Sequence, residues 1–62
     1  MQYSLKELRA RLNETQADVA KAMGISLSTY HYWESNILNV NYGNVLKLAD
    51  HFGVSVEEIK AE

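Results

Sequence analysis

Leu5, Leu8 and Leu12 recur at spacings of three and four, Val19 and Met23 at four, Tyr30 and Trp33 at three, and Val45, Leu48, Ala49 and Phe52 again at three and four. Apolar positions that return with this period line one face of an α-helix, and polar residues fill the places between them. The chain has no proline, so glycine, asparagine and short hydroxyl side chains punctuate it. Ser4-Leu5-Lys6-Glu7 has the form of a capping box and predicts a first helix from Leu5 to about Leu12. Thr15, with Asp18 three residues on, starts a second helix at Gln16 that ends near Met23, and Ser26 caps a third from Leu27 to about Glu34. The stretch Ser35 to Asn41 breaks the period with asparagines, which favour turns, and reads as a loop pinned by Ile37, Leu38 and Val40. Asn41 caps a fourth helix from Tyr42 to His51, stopped by Gly53. Ser55-Val56-Glu57-Glu58 is a second Ser-x-x-Glu box and opens a short fifth helix with Val56 and Ile59 facing inward. The expected fold class is all-α, five helices in one domain.

The second and third helices are the informative pair. Two helices of about eight residues joined by a three- or four-residue turn must meet at roughly 90 to 120°. Ala20 is small enough for one helix to cross over the other, and Gly24 can take the positive φ that ends a helix without a Cβ penalty. Val19, Met23, Ile25, Tyr30 and Trp33 supply the apolar positions in register. Residues 16–34 therefore have the layout of a helix-turn-helix. If so, residues 27, 28 and 32 project outward while Tyr30 and Trp33 are hidden.

A chain of 62 residues leaves room for one domain only, near the lower limit at which a chain buries enough surface to fold alone. With no cysteine and two scattered histidines, neither a disulfide nor a metal staple is expected, and no cofactor is called for. No run approaches the roughly 20 apolar residues that span a bilayer, and Met1-Gln2-Tyr3-Ser4 lacks a basic region followed by an apolar core. A soluble, unprocessed, cytoplasmic protein is the expectation. Ser28 near His31 has no orienting acid or oxyanion hole, so the chain is not read as an enzyme.

The net charge of −2 works against strong duplex binding, which is largely phosphate neutralisation. Its distribution softens the objection. Lys6, Arg9, Arg11 and Lys21 face Glu7, Glu14 and Asp18 in the first 26 residues, whereas Lys47 and Lys60 face Asp50, Glu57, Glu58 and Glu62 from residue 45 onward. His31 has no second ligand three or four positions away and reads as a solvated helix residue, with a phosphate contact as the alternative. Asn36, Asn39, Asn41 and Asn44 can donate amide hydrogen bonds to phosphate, and are equally well explained as shaping the loop. His51 is placed to end the fourth helix, where an imidazolium meets the helix dipole.

Leu8-Arg9 and Leu12, Thr15-Gln16-Ala17-Asp18-Val19-Ala20, Met23-Gly24-Ile25-Ser26, Trp33-Glu34 and Phe52-Gly53-Val54-Ser55 together resemble the phage Cro/repressor-type (Xre-like) helix-turn-helix family, from about Leu5 to Ile59. The resemblance implies a compact five-helix repressor-like domain that binds operator DNA as a symmetric dimer with its third helix in the major groove. It places Gln16 where similar proteins touch a phosphate from the start of the second helix, the other reading being an exposed first-turn residue. It places Leu27, Ser28 and Tyr32 where such proteins reach base edges, with Ser26, His31, Asn36 and Asn39 around them; a protein-binding patch is the alternative for Leu27 and Tyr32. Arg9 and Glu34 fall where similar proteins form a partly buried salt bridge. Three departures stand out. Asn36 occupies a frequent glycine position and can take the left-handed conformation, Val40 lies near a frequent proline, and Ser26 to Asn44 contains no Lys or Arg and one acid, Glu34.

The expected function is sequence-specific binding of double-stranded DNA by a small transcriptional regulator of phage or bacterial type, acting as a repressor and a homodimer. The competing expectation is a modulator on the same scaffold that binds another regulatory protein instead of an operator.

Overall fold

In the computed structural model, which describes residues 1–60, the chain forms four α-helices: α1 (Leu5–Arg11), α2 (Gln16–Met23), α3 (Leu27–Ser35) and α4 (Tyr42–Phe52). Single 3-10 turns follow α3 at Ile37–Asn39 and α4 at Val56–Glu58. Local chemistry sets the starts. Ser4 and Thr15 each accept the N–H three residues on, and Glu7 and Asp18 return the bond to the cap N–H, so α1 and α2 both open with complete capping boxes. Ser26 accepts from the Thr29 N–H and Asn41 from that of Asn44, capping α3 and α4. Gly24 and Gly53 end α2 and α4 at φ 73° and 70°, a conformation that costs a glycine nothing.

The fifth helix expected after Ser55 is not there. Its capping box forms, but the chain makes only one 3-10 turn before Ile59 runs extended beside Tyr3 as an isolated parallel bridge. Tyr3 N–H donates to the Glu58 carbonyl and Lys60 N–H to the Tyr3 carbonyl, both at 2.7 Å, so groups that would continue a helix are spent on the N-terminal segment. Leu12 also departs from expectation. The Arg9 carbonyl takes its N–H in a tightened turn, Asn13 then swings to φ 55°, and Leu12 is left 48% exposed as the cap of α1. Asn36, expected to tolerate a left-handed turn, instead sits at φ −139°, and α3 ends through a bond from its N–H to the Trp33 carbonyl.

One core unites the elements. Leu5 and Leu8 of α1, Val19 and Ala20 of α2, Tyr30 and Trp33 of α3, and Leu48, Ala49 and Phe52 of α4 are buried together with Ile37, Val40 and Ile59. Ala20 allows α2 and α3 to pack closely, as a small side chain at a crossing should. Two of the three loop anchors, Ile37 and Val40, join the core, while Leu38 is 75% exposed. No helix among the described residues is long and apolar enough to cross a membrane.

Candidate nucleic-acid interface

α3 is sharply two-sided. Tyr30 and Trp33 are 0% and 8% exposed, whereas Leu27 and Tyr32 are each 51% exposed, and Ser28, Thr29 and His31 lie open beside them. Residues 28, 31, 32 and 35 are three and four apart and share the outward face, with Leu27 at its leading edge. Burying Tyr30 and Trp33 against the core thus fixes which side chains the helix offers outward.

Behind this face lies a hydrogen-bonded chain. Arg9 Nε of α1 donates to Glu34 Oε2 of α3 at 2.8 Å, with only 17% and 9% of the two side chains exposed. A second Arg9 nitrogen donates to the Glu14 carbonyl at 3.1 Å, so one guanidinium ties α3 to the turn between α1 and α2. Gln16 Nε2 donates to Glu34 Oε1 at 2.9 Å, and Gln16 Oε1 lies 3.4 Å from His31 Nδ1. Gln16 is accordingly half-buried, not an exposed first-turn residue. Burial alone would raise the Glu34 carboxyl, but the bonds from Arg9 and Gln16 outweigh it and hold it below the ordinary carboxylate value. The Tyr30 hydroxyl is buried near this pair without a hydrogen bond of good geometry, and that burial, with Glu34 beside it, pushes the phenol strongly upward. Glu34, the one acid between Ser26 and Asn44, is therefore matched by Arg9, and the α3 face carries no net charge.

The C-terminal end of α3 is shaped by its asparagines. Asn36 Nδ2 donates to the Tyr32 carbonyl and Asn39 Nδ2 to the Tyr32 hydroxyl, each at 3.1 Å. Tyr32 Oη accepts that bond, which leaves its own proton to point elsewhere. At the other end the Ser26 hydroxyl is committed to the cap and also donates to Thr29 Oγ1 at 2.9 Å. The start of α2 abuts a shallow groove lined by Arg9, Asn13, Thr15, Gln16, Ala17 and Leu27. The Thr15 and Asp18 box occupies the N–H groups of Thr15 and Asp18, leaving those of Gln16 and Ala17 uncommitted among the described residues.

Sequence reasoning missed three of these relationships. Gln16 with Glu34 and Glu14 with His51, whose Nε2 and Oε1 are 2.8 Å apart, join residues far apart in the chain and leave no local signature. His51 thus reaches across to the α1–α2 turn, and α4 continues past it to Phe52. The left-handed Asn13 was detectable in principle, because asparagine is among the few residues that visit that region readily. Among the described residues no group of three or more His, Cys, Asp or Glu could hold a metal ion.

The Helix-turn-helix family profile matches residues 5–59. Three curated relatives agree with it. The cryptic phage CTXphi transcriptional repressor RstR of Vibrio cholerae is 36% identical over 55 residues, 89% of this chain and 49% of the repressor. Uncharacterized HTH-type transcriptional regulators of Methanocaldococcus jannaschii and Archaeoglobus fulgidus are 37% and 32% identical over 59 residues, 95% of this chain in each case and 89% and 83% of theirs. The chain thus spans about half the length of the phage repressor and most of the archaeal proteins. No solved structure matches. With a profile that runs from the first residue of α1 to the Tyr3 bridge partner Ile59, and a partly buried Arg9–Glu34 pair behind an outward α3, the chain belongs to the Cro/repressor-type helix-turn-helix family.

Proposed function

We propose that this chain is a transcriptional regulator that binds operator DNA with α3 in the major groove. The supporting observation is the outward strip Leu27, Ser28, His31 and Tyr32 on a helix fixed to α2 by packing and by the Gln16–Glu34 bond. Leu27 suits a thymine methyl, Ser28 and the Tyr32 hydroxyl suit base-edge hydrogen bonds, and none has the bidentate grip of arginine on guanine. Discrimination therefore draws on DNA shape as well as direct contact. With one Gln16 amide hydrogen committed to Glu34, the phosphate contact at α2 draws on the second amide hydrogen and on the Gln16 and Ala17 backbone N–H groups. Asn36 and Asn39, each with a second amide hydrogen to spare, are the backbone contacts this reading assigns at the end of α3.

Two copies acting on a near-palindromic site would set their α3 helices about 34 Å apart. Leu38, Tyr42 and Leu46 are 75%, 66% and 46% exposed, and no charged residue or histidine lies between Ser35 and Leu46. Near the axis of a two-fold contact each side chain meets its own counterpart, so that part of the contact accepts neutral and apolar groups and rejects charge. That supports a second copy of this chain as the occupant of the patch.

Selection from random duplexes at low salt, followed by gel shifts over a salt series, tests the reading. A preferred duplex should emerge, with a shallow salt slope equivalent to about three to five phosphate contacts per subunit. Enrichment of no duplex would overturn it in favour of a module that binds another regulatory protein through Leu27 and Tyr32.

A further inference from the structure

The hydrogen-bonded chain that ends on α3 determines the chemistry of the atom it presents. An ionised carboxylate only accepts, so the Gln16 atom 2.9 Å from Glu34 Oε1 has to be the amide nitrogen; the flipped amide would set oxygen against oxygen. With its nitrogen held there, Gln16 turns its oxygen to His31, 3.4 Å from Nδ1. That oxygen also only accepts, so Nδ1 carries the proton of the neutral ring and the lone pair is on Nε2. A free imidazole side chain favours the reverse arrangement. His31 is exposed, and its Nε2 bonds to nothing among the described residues.

We propose that Gln16 is a positioning residue that holds His31 in the Nδ1–H form, and that His31 is a specificity-determining residue whose Nε2 accepts the exocyclic amino group of an adenine or cytosine. The inference rests on the reading that α3 lies in the major groove. On that edge only adenine N6 and cytosine N4 offer hydrogens, whereas guanine N7 and O6, adenine N7 and thymine O4 are acceptors. Phosphate oxygens are acceptors too. A bare ring nitrogen therefore selects an amino group over every other partner within its reach, and in this tautomer Nε2 is unsuited to the backbone contact otherwise expected of His31.

The test has two arms, both near pH 8, where an ordinary imidazole is neutral. In the free protein, ring nitrogen NMR shifts should report a pyridine-like Nε2 and a protonated Nδ1 for His31, and Gln16→Met should return the ring to the ordinary Nε2–H form while circular dichroism stays helical. A protonated Nε2 in the wild type overturns the inference. In the second arm, random-duplex selection should show one column per half-site enriched in adenine or in cytosine, the identity distinguishing the two sources. His31→Phe should flatten that column about five-fold, the worth of one hydrogen bond, and leave the others unchanged. A column insensitive to His31→Phe overturns this assignment alone. Failure of the wild type to select any duplex overturns the operator reading and, with it, this one.

Discussion

Gln16 Nε2 and Glu34 Oε1 are 2.9 Å apart, which fastens the first residue of α2 to the carboxylate that already holds Arg9. Three elements converge on one acid, and the acid lies one residue beyond the core anchor Trp33. Removing either charge strands the other in a mostly dry site. Arg9→Ala and Glu34→Ala should each cost about 2 to 4 kcal/mol in urea denaturation, between the values for exposed and fully buried pairs. Arg9→Met with Glu34→Leu should cost less than the sum of its parts. Additive losses would mean that the pair contributes no coupling.

Under the proposed function, the two sides of α3 separate stability from recognition. Trp33→Ala should remove about 3 to 5 kcal/mol, comparable to the roughly 3 to 9 kcal/mol that a chain of this size holds in total, and leave little helix by circular dichroism. Leu27→Ala and Tyr32→Ala should leave the melting temperature within a few degrees of wild type and change which duplex is selected. A large melting shift for Leu27→Ala would show that its side chain is needed by the core.

Acid should weaken the fold through its caps. Backbone N–H bonds from Ser4, Thr15 and Ser55 hold the carboxyls of Glu7, Asp18 and Glu58 below their ordinary values. Since the folded values lie under the unfolded ones, the stability these groups add is complete above about pH 4 to 5 and drains as pH falls through the lower folded values. Melting temperature should be level from about pH 7 to 5 and drop below about pH 4. Glu7→Gln with Asp18→Asn and Glu58→Gln should lower the plateau and shallow the drop; an unchanged acid limb would assign acid sensitivity elsewhere.

Symmetry at the uncharged patch has its own signature. Leu46→Glu and Leu46→Lys should each shift sedimentation toward the monomer and weaken binding to a full two-half-site duplex, while one half-site is bound as before. Mixing the two variants should restore dimers, because unlike charges then meet across the axis. If neither variant shifts toward the monomer, Leu46 lies away from any two-fold contact; a mixture that stays monomeric puts Leu46 in the contact but off its axis.

Much of this architecture was legible because it is local. Ser4, Thr15, Ser26 and Asn41 cap where their spacing predicts, and the periods of Val19, Tyr30, Trp33 and Leu48 identify the core side of each helix. Local rules erred where a non-local bond won. Ser55 begins a turn that the Tyr3 backbone diverts, and Leu12 fits the heptad-like period yet falls beyond the last helical residue, Arg11. The two sides of α3 were legible too: residues 27, 28 and 32 do face outward and 30 and 33 do not. What the sequence could not disclose was the orientation of the Gln16 amide, since that depends on which of its atoms meets Glu34 across two helices.

The parallel pairing of Tyr3 with Ile59 has a topological consequence. It closes the backbone from Tyr3 to Ile59 into a ring, so a short flexible splice across that bridge would demand little rearrangement. A permuted variant spliced in this way and cut open at Asn13, in the exposed turn between α1 and α2, should regain its native circular dichroism, because every buried contact survives the change of chain order.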